Sequence, residues 1–192
     1  MSLEYISYEE YKAKGYPLDR IEAFDSGNCA FNAFLSERLI EWQEKLSGVT
    51  YLLIDTEEKN KSDIIIYAYA TVSTIGLLSK DADNYAYISG VEIRLFAIDR
   101  HFRDAADETG VKYSHVFFAL LLQDLWSAAT TKISFKIIFL QSNLVGKSLY
   151  EDFGFVEVSD YIAPTEDDKI EVHDCIPMLC EITDEMMYQI FE

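Results

Sequence analysis

Along the chain, apolar residues first become periodic where Phe31, Phe34, Leu35, Leu39 and Trp42 recur three and four apart, the spacing of one buried helical face. This predicts a helix running to Gly48, with Asp25 or Ser26 as its cap. The period then changes. VTYLLID (49–55) and the β-branched run IIIYAYATVSTI (64–75) read as two strands around a turn rich in Glu, Lys and Asn. YISGVEIRLFAID (87–99) is apolar almost throughout, apart from Glu92 and Arg94, as a central strand should be. A charged loop (100–110) leads into KYSHVFFALLLQDLWSAATT (112–131), the most hydrophobic helix of the chain. Strand ISFKIIFLQ (133–141), helix LVGKSLYEDF (144–153) and strand FVEVSDYI (155–162) follow. An acidic turn (164–169), a closing strand around 170–182 and a short helix over 183–191 complete the pattern. The residues before Phe24 fit either an extra helix or a strand with a Gly-Tyr-Pro turn.

Strand, helix and strand in the middle imply a parallel pair with antiparallel strands outside it. The chain has 192 residues and 49% hydrophobic content, with no internal repeat, linker or shift of composition. A single α/β domain over residues 1–192 is therefore expected. Its 14% aromatic share exceeds the needs of one core and points to a cleft or a homodimer contact as well.

Thirty-four acidic residues against sixteen basic ones give a formal charge of −18. Such a surface repels phosphate backbones and anionic membranes, so nucleic acid is an unlikely partner on this ground. A small-molecule or peptide amine suits it better. Cys29, Cys175 and Cys180 are odd in number and form no CxxC pair, which fits buried, reduced thiols in a cytoplasmic protein. His101, His115 and His173 are scattered, and no pair has metal-ligand spacing, so no metal is expected. No apolar run reaches membrane-spanning length.

Chemistry concentrates in NLVGKSLYEDFGF (143–155): an Asn after an apolar strand, a short helical segment, and Tyr150 just before a Phe-Gly-Phe turn. The plain reading of Asn143 is a helix cap, and that of Tyr150 is packing at a helix end. The order resembles the last β-α-β unit of the GNAT N-acetyltransferases. In that family the Tyr at this place commonly gives a proton to the departing thiolate of coenzyme A. GVEIRLFAID (90–99) resembles the family's fourth strand. The resemblance puts Glu92 in the place of a general base, and Phe96, Ala97 and Ile98 where backbone groups pair with the pantetheine arm. The pyrophosphate loop of the family, Gln/Arg-x-x-Gly-x-Gly/Ala, is written here as the degenerate ETGVKYSHVFF (108–118). Its counterparts are Gly110, Val111, Lys112, Tyr113 and Ser114, and Asn143 is placed near the cofactor. FDSGNCAFNAFL (24–35) and IPMLCEI (176–182) resemble the opening and closing segments of the branch that includes tRNA-acetylating toxins.

The resemblance implies a GNAT-like mixed sheet of about seven strands, splayed between the fourth and fifth, with helices on both faces. It implies direct acetyl transfer from acetyl-CoA to a primary amine, with Glu92 as base and Tyr150 as acid. Two alternatives stand beside this: a non-catalytic or weakly CoA-binding interaction module on the same fold, and a toxin-type aminoacyl-tRNA acetyltransferase, which the charge disfavours.

Overall fold

The computed structural model describes residues 2–81, 84–158 and 175–184. Seven strands are hydrogen-bonded in the order β1-β2-β3-β4-β5-β7-β6. They are β1 (Leu3–Ser7), β2 (Val49–Asp55), β3 (Ala68–Asp81), β4 (Asn84–Ile98), β5 (Ile137–Ser142), β6 (Val156–Glu157) and β7 (Ile176–Glu181). β4 and β5 run parallel over four pairs, from Gly90↔Ile137 to Ile93↔Leu140. β1–β2, β2–β3, β5–β7 and β6–β7 are antiparallel. This is the mixed, seven-stranded GNAT-like sheet that the sequence implied. The parallel ladder stops at Ile93 although β4 continues to Ile98.

The chain divides into two compact units, residues up to 73 with 94–125, and 74–93 with the residues from 126 on. In the first unit the N-terminal residues supply both elements that the sequence left open. β1 is followed by helices α1 (Tyr8–Ala13) and α2 (Asp19–Glu22). A broken helix comes next: α3 (Cys29–Ala33), a π-turn (Phe34–Arg38) and α4 (Leu39–Glu44). Its cap is Asn28, whose side chain accepts from the Ala30 N–H, rather than Asp25 or Ser26. Those two are committed to a tight turn described below. The helix also ends before Gly48. Leu46 takes the left-handed conformation (φ 56°), and Ser47 N–H reaches Trp42 C=O at 2.9 Å. Gly48 has a different use: a Cβ there would meet Thr71 Cγ2 at 3.1 Å and Val72 O at 3.2 Å, so its lack of a side chain lets β3 approach. Tyr69, fully buried, stacks on Phe34 (6.2 Å) and meets Phe24 edge-on (5.4 Å), which seats the broken helix on β3.

The long helix α6 (Tyr113–Thr131) buries Phe117, Phe118, Leu121, Leu122 and Leu125, one stripe at helical spacing. In the second unit Ile137, Ile138, Phe139 and Leu140 of β5 are all buried between the β4 and β7 ladders. A continuous apolar run of this kind is the mark of an inner parallel strand. The strand starts four residues later than the pattern predicted, leaving Ile133 59% exposed, because pairing to β4 begins only at Ile137. Helix α7 (Lys147–Asp152) then leads to β6. The sequence readings on 159–174 and 185–191, including the acidic turn and most of the last helix, lie outside the described residues.

Candidate functional site

In the second unit, the turn from β5 into α7 is built by Asn143. Its Oδ1 accepts from Gly146 N–H at 2.7 Å, and its carbonyl accepts from Lys147 N–H (3.1 Å) and the Ser142 hydroxyl (2.7 Å). A Cβ on Gly146 would stand 3.3 Å from both Asn143 Oδ1 and Tyr150 Cε2, so the missing side chain lets the Tyr150 ring lie against this turn. The other end of α7 is closed by a Schellman motif. Phe155 N–H donates to Tyr150 C=O (3.1 Å), Gly154 N–H to Glu151 C=O (3.0 Å), and Gly154 sits at φ 80°. The motif's usual apolar contact is here the pair Tyr150–Phe155, with ring centroids 6.1 Å apart. Tyr150 is thereby held at both ends of its helix. Burial pushes its phenol well above the ordinary tyrosine range, and the Cys175 thiol adds to the effect. The group stays protonated at neutral pH, the state a proton donor requires.

Glu92 lies on β4 opposite Phe139 of β5, half-buried within the parallel ladder. Cys180, buried and near Phe153 C=O, has its thiol pushed up to about 11 by that burial. Cys29 is exposed and Cys175 half-buried, so the expectation of buried thiols holds for Cys180 alone.

The remaining sequence-predicted residues lie in the first unit. Ala97 and Ile98 are buried at the end of β4, and the ring of Phe96 packs edge-on against Phe118 of α6 at 5.1 Å. Beyond Ile98, Asp99 caps the short turn α5 (Arg100–Arg103) and its carboxylate also meets His101 Nδ1 at 2.6 Å. The loop that follows folds back on itself. Asp107 N–H donates to Val111 C=O (2.9 Å) and Tyr113 N–H to Ala105 C=O (3.0 Å), as in a small hairpin. Asp107 Oδ1 closes its tip by accepting from Thr109 N–H (2.8 Å), Thr109 Oγ1–H (2.6 Å) and Val111 N–H (3.0 Å). These bonds, that from the Thr109 side chain foremost, hold the Asp107 carboxyl below its ordinary pKa.

The hairpin changes what the 110–114 segment can offer. The amides of Gly110, Val111 and Tyr113 are already spent on Asp107 and Ala105. Lys112 faces Ala106 as a pair that exchanges no hydrogen bonds, and Ser114 lies in the first turn of α6; the amides of both donate to no acceptor among the described residues. These two donors stand at the start of a 19-residue helix, where partial positive charge favours an anion. As N–H donors at a helix start they fit a phosphate anion.

Sequence reasoning missed Asp99, Arg100 and Asp107, and gave Asp25 and Ser26 no role beyond a helix cap and membership of the FDSG opening segment. In the structure Asp25 Oδ1 accepts from Gly27 N–H (2.8 Å) and Asn32 Nδ2–H (2.9 Å), while Asn32 Oδ1 accepts from Ser26 N–H (2.8 Å) and the Ser26 hydroxyl (2.7 Å). The DSG and DETG strings were the available signals, since Asp two residues before Gly or Thr is an Asx-turn signature. Among the described residues no group of three or more His, Cys, Asp or Glu side chains could hold a metal, and no helix is long and apolar enough to cross a membrane.

No family model and no curated protein matches the sequence. Solved structures do match. A Tyr-to-Phe variant of the toxin AtaT, bound to the C-terminus of the antitoxin AtaR and acetyl-CoA, is 17% identical with a TM-score of 0.64, over 100% of this chain and 98% of that one. AtaT complexed with acetyl-methionyl-tRNAfMet is 18% identical with a TM-score of 0.64, over the whole of both chains. The KacTA–DNA complex is 18% identical with a TM-score of 0.63, over 98% of this chain and 94% of that one. These complexes correct the partner expectation drawn from net charge. Structures with this fold occur with tRNA and in DNA complexes, so the excess of carboxylates gives no ground for a small-molecule or peptide acceptor with nucleic acid set aside. Net charge averages over a surface, whereas recognition uses a patch of it. The protein has the fold of these toxins, the GNAT-like fold its sequence resembles.

Proposed function

We propose that the protein transfers acetyl from acetyl-CoA to a primary amine, and that the amine is the α-amino group of an aminoacylated tRNA. The observation that carries the chemistry is Tyr150, positioned by the Asn143 turn and the Schellman motif and kept neutral by burial, in a chain of this fold. Acetyl-CoA supplies the activated acyl group. The Lys112 and Ser114 amides would hold its pyrophosphate, and the backbone of Phe96, Ala97 and Ile98 its pantetheine arm by strand-like pairing. Tyr150 Oη holds the proton needed by a leaving thiolate, and the Glu92 carboxylate takes one from the acceptor ammonium, which has no lone pair until it is deprotonated. The acceptor class is supported by the neighbour that carries acetyl-methionyl-tRNAfMet, the species that acetylation of methionyl-tRNA yields.

Incubation with acetyl-CoA and a pool of aminoacylated tRNAs should give acetyl-aminoacyl-tRNA, detected by mass spectrometry of the released acyl-amino acids. At a charge of −18 few cations are left to carry the RNA contact, so the yield should fall only gently with added salt, whose effect scales with the number of phosphates neutralised. Acetyl-CoA turnover without any acetylated tRNA would overturn the acceptor. Glu92→Gln should lower the rate about 100-fold near neutral pH with acetyl-CoA affinity kept; an unchanged rate would remove Glu92 from the chemistry. The interaction-module reading is favoured by the three amides of the 110–114 segment that the chain itself consumes. Calorimetry separates the two, since the module predicts no binding heat with millimolar acetyl-CoA.

A further inference from the structure

The FDSG turn lies some seventy residues before the loop that leads to α6, yet the two are bolted together. Arg100 N–H donates to Asp25 C=O at 2.8 Å, and the Arg100 guanidinium meets Asp25 Oδ2 at 3.1 Å. Asp25 N–H in turn points to Asp99 Oδ2 at 3.4 Å. Gly27 lies under Arg103, since a Cβ there would stand 3.5 Å from Nη2. Asp25 is itself pinned by Asn32 Nδ2 and Gly27 N–H, and these two bonds, Asn32 first, lower its pKa, with Arg100 and His101 contributing less. The basic side chains of α5 are thus largely engaged with carboxylates: Arg100 with Asp25 and His101 with Asp99.

From this turn onward a continuous set of contacts reaches the outward amides. Phe102 of α5 packs on Tyr113 at 5.8 Å and on Tyr67 at 4.9 Å. Ala105 C=O then receives Tyr113 N–H, between Lys112 and Ser114, whose amides have no acceptor among the described residues. The loop has no glycine-rich run to set its path, so its position depends on what holds its two ends.

We propose that Asp25 is a positioning residue for the cofactor loop: with Asn32 and Arg100 it clasps the start of the 99–113 segment and so sets where the Lys112 and Ser114 amides stand. This rests on the acetyl-CoA reading given above. Asp25 touches no reacting atom in this scheme, and its effect is on binding rather than on the chemical step. Asp25→Asn keeps an oxygen for Gly27 and Asn32 and removes the charge that faces Arg100; Arg100→Gln removes the other half.

Each variant should raise the dissociation constant for acetyl-CoA about fivefold, with turnover at saturating acetyl-CoA within about twofold of the parent. The double variant should be no worse than either single one, because both break the same clasp. In ligand-free protein, hydrogen exchange should quicken across residues 100–113 and stay slow in β1 and β2. Unchanged exchange at 100–113, or a loss of protection spread evenly over the chain, would overturn the clasp. A fall in saturated turnover as large as the fall in affinity would overturn the positioning role. Should the parent protein bind no acetyl-CoA while Asp25→Asn still loosens 100–113 selectively, the acetyl-CoA reading falls and the mechanical clasp stands.

Discussion

The β5–α7–β6 turn and the 99–114 loop take opposite routes to the same end, a short stretch of backbone held in one shape. The first is mainly a backbone device, with one side chain, Asn143, added at its start. Gly154 at φ 80° and the bond from Phe155 N–H to Tyr150 C=O make a Schellman motif, and Asn143 closes the other side through Gly146 N–H. The second uses side chains: Asp107 closes a hairpin tip through three hydrogen bonds, and Asp25 grips Arg100 from a distant turn. A backbone device is specified by few residues at fixed spacing, so it reads directly from sequence. The Asp25–Arg100 contact depends on partners brought together by folding, and in the sequence those residues look like ordinary surface charges. The difference also divides the labour: the first region presents a phenol, the second presents amides.

The largest effect that would sharpen this division is on Tyr150. Tyr150→Phe keeps the ring that packs against Phe155 and removes the one proton the mechanism draws from this region. Turnover should fall about 100-fold while the acetyl-CoA dissociation constant stays within about twofold. Burial raises the phenol pKa above its ordinary value, so the neutral form persists through the tyrosine range. The parent enzyme should therefore show no loss of rate from this group below about pH 10. Equal turnover in both proteins would leave Tyr150 as nothing more than the apolar partner of a helix cap.

A smaller effect tests how that phenol is held. Nothing lies within 4 Å of a Cβ built on Gly154, so Gly154→Ala meets no clash and its cost is conformational. That cost should be about 1 kcal/mol, read as a lower urea midpoint with an unchanged m-value. If the Schellman motif orients Tyr150, turnover should also drop about threefold. Lost stability with full turnover would separate the motif from the chemistry and weaken the contrast drawn here.

The same contrast accounts for what the sequence did and did not disclose. The turn that Asn143 opens and the Phe-Gly-Phe segment closes around Tyr150 is legible because its spacing is local. β5 was found because a buried parallel strand is apolar at every position, though its start was misplaced: Ile133–Lys136 has the right composition and the wrong neighbours, with ladder pairing only from Ile137 on. FDSGNCAFNAFL was recognised as a motif but misread as a helix cap, because its bonds to Arg100 and Asp99 cross some seventy residues. In the 108–115 segment Gly110 is the visible glycine, but the residue that shapes the loop is Asp107 just upstream. The outward Lys112 amide follows from hairpin pairing through Ala105 and Asp107, which no local rule shows, while that of Ser114 belongs to the first turn of α6.

The smallest effect belongs to Asp107, and it bears on whether a side chain can replace a glycine-rich loop. The folded protein lowers the Asp107 pKa, chiefly through the Thr109 hydroxyl and then the Val111 and Thr109 amides. A depressed carboxyl contributes its stabilisation above the unfolded-state value, about 3.9, and loses it as pH falls through the lower folded value. The hairpin should therefore be fully closed at neutral pH and open only below about pH 4. In ligand-free protein the Val111 and Thr109 amide resonances should shift together in that acid range. Asp107→Asn should abolish the shift, because the amide keeps an acceptor but cannot titrate. It should weaken acetyl-CoA binding only about twofold at neutral pH, since Tyr113 N–H still reaches Ala105 C=O. A loss of tenfold or more would mean that the carboxylate, and not the hairpin pairing, sets the outward amides, and the loop would then depend on a single side chain as strictly as other loops depend on glycine.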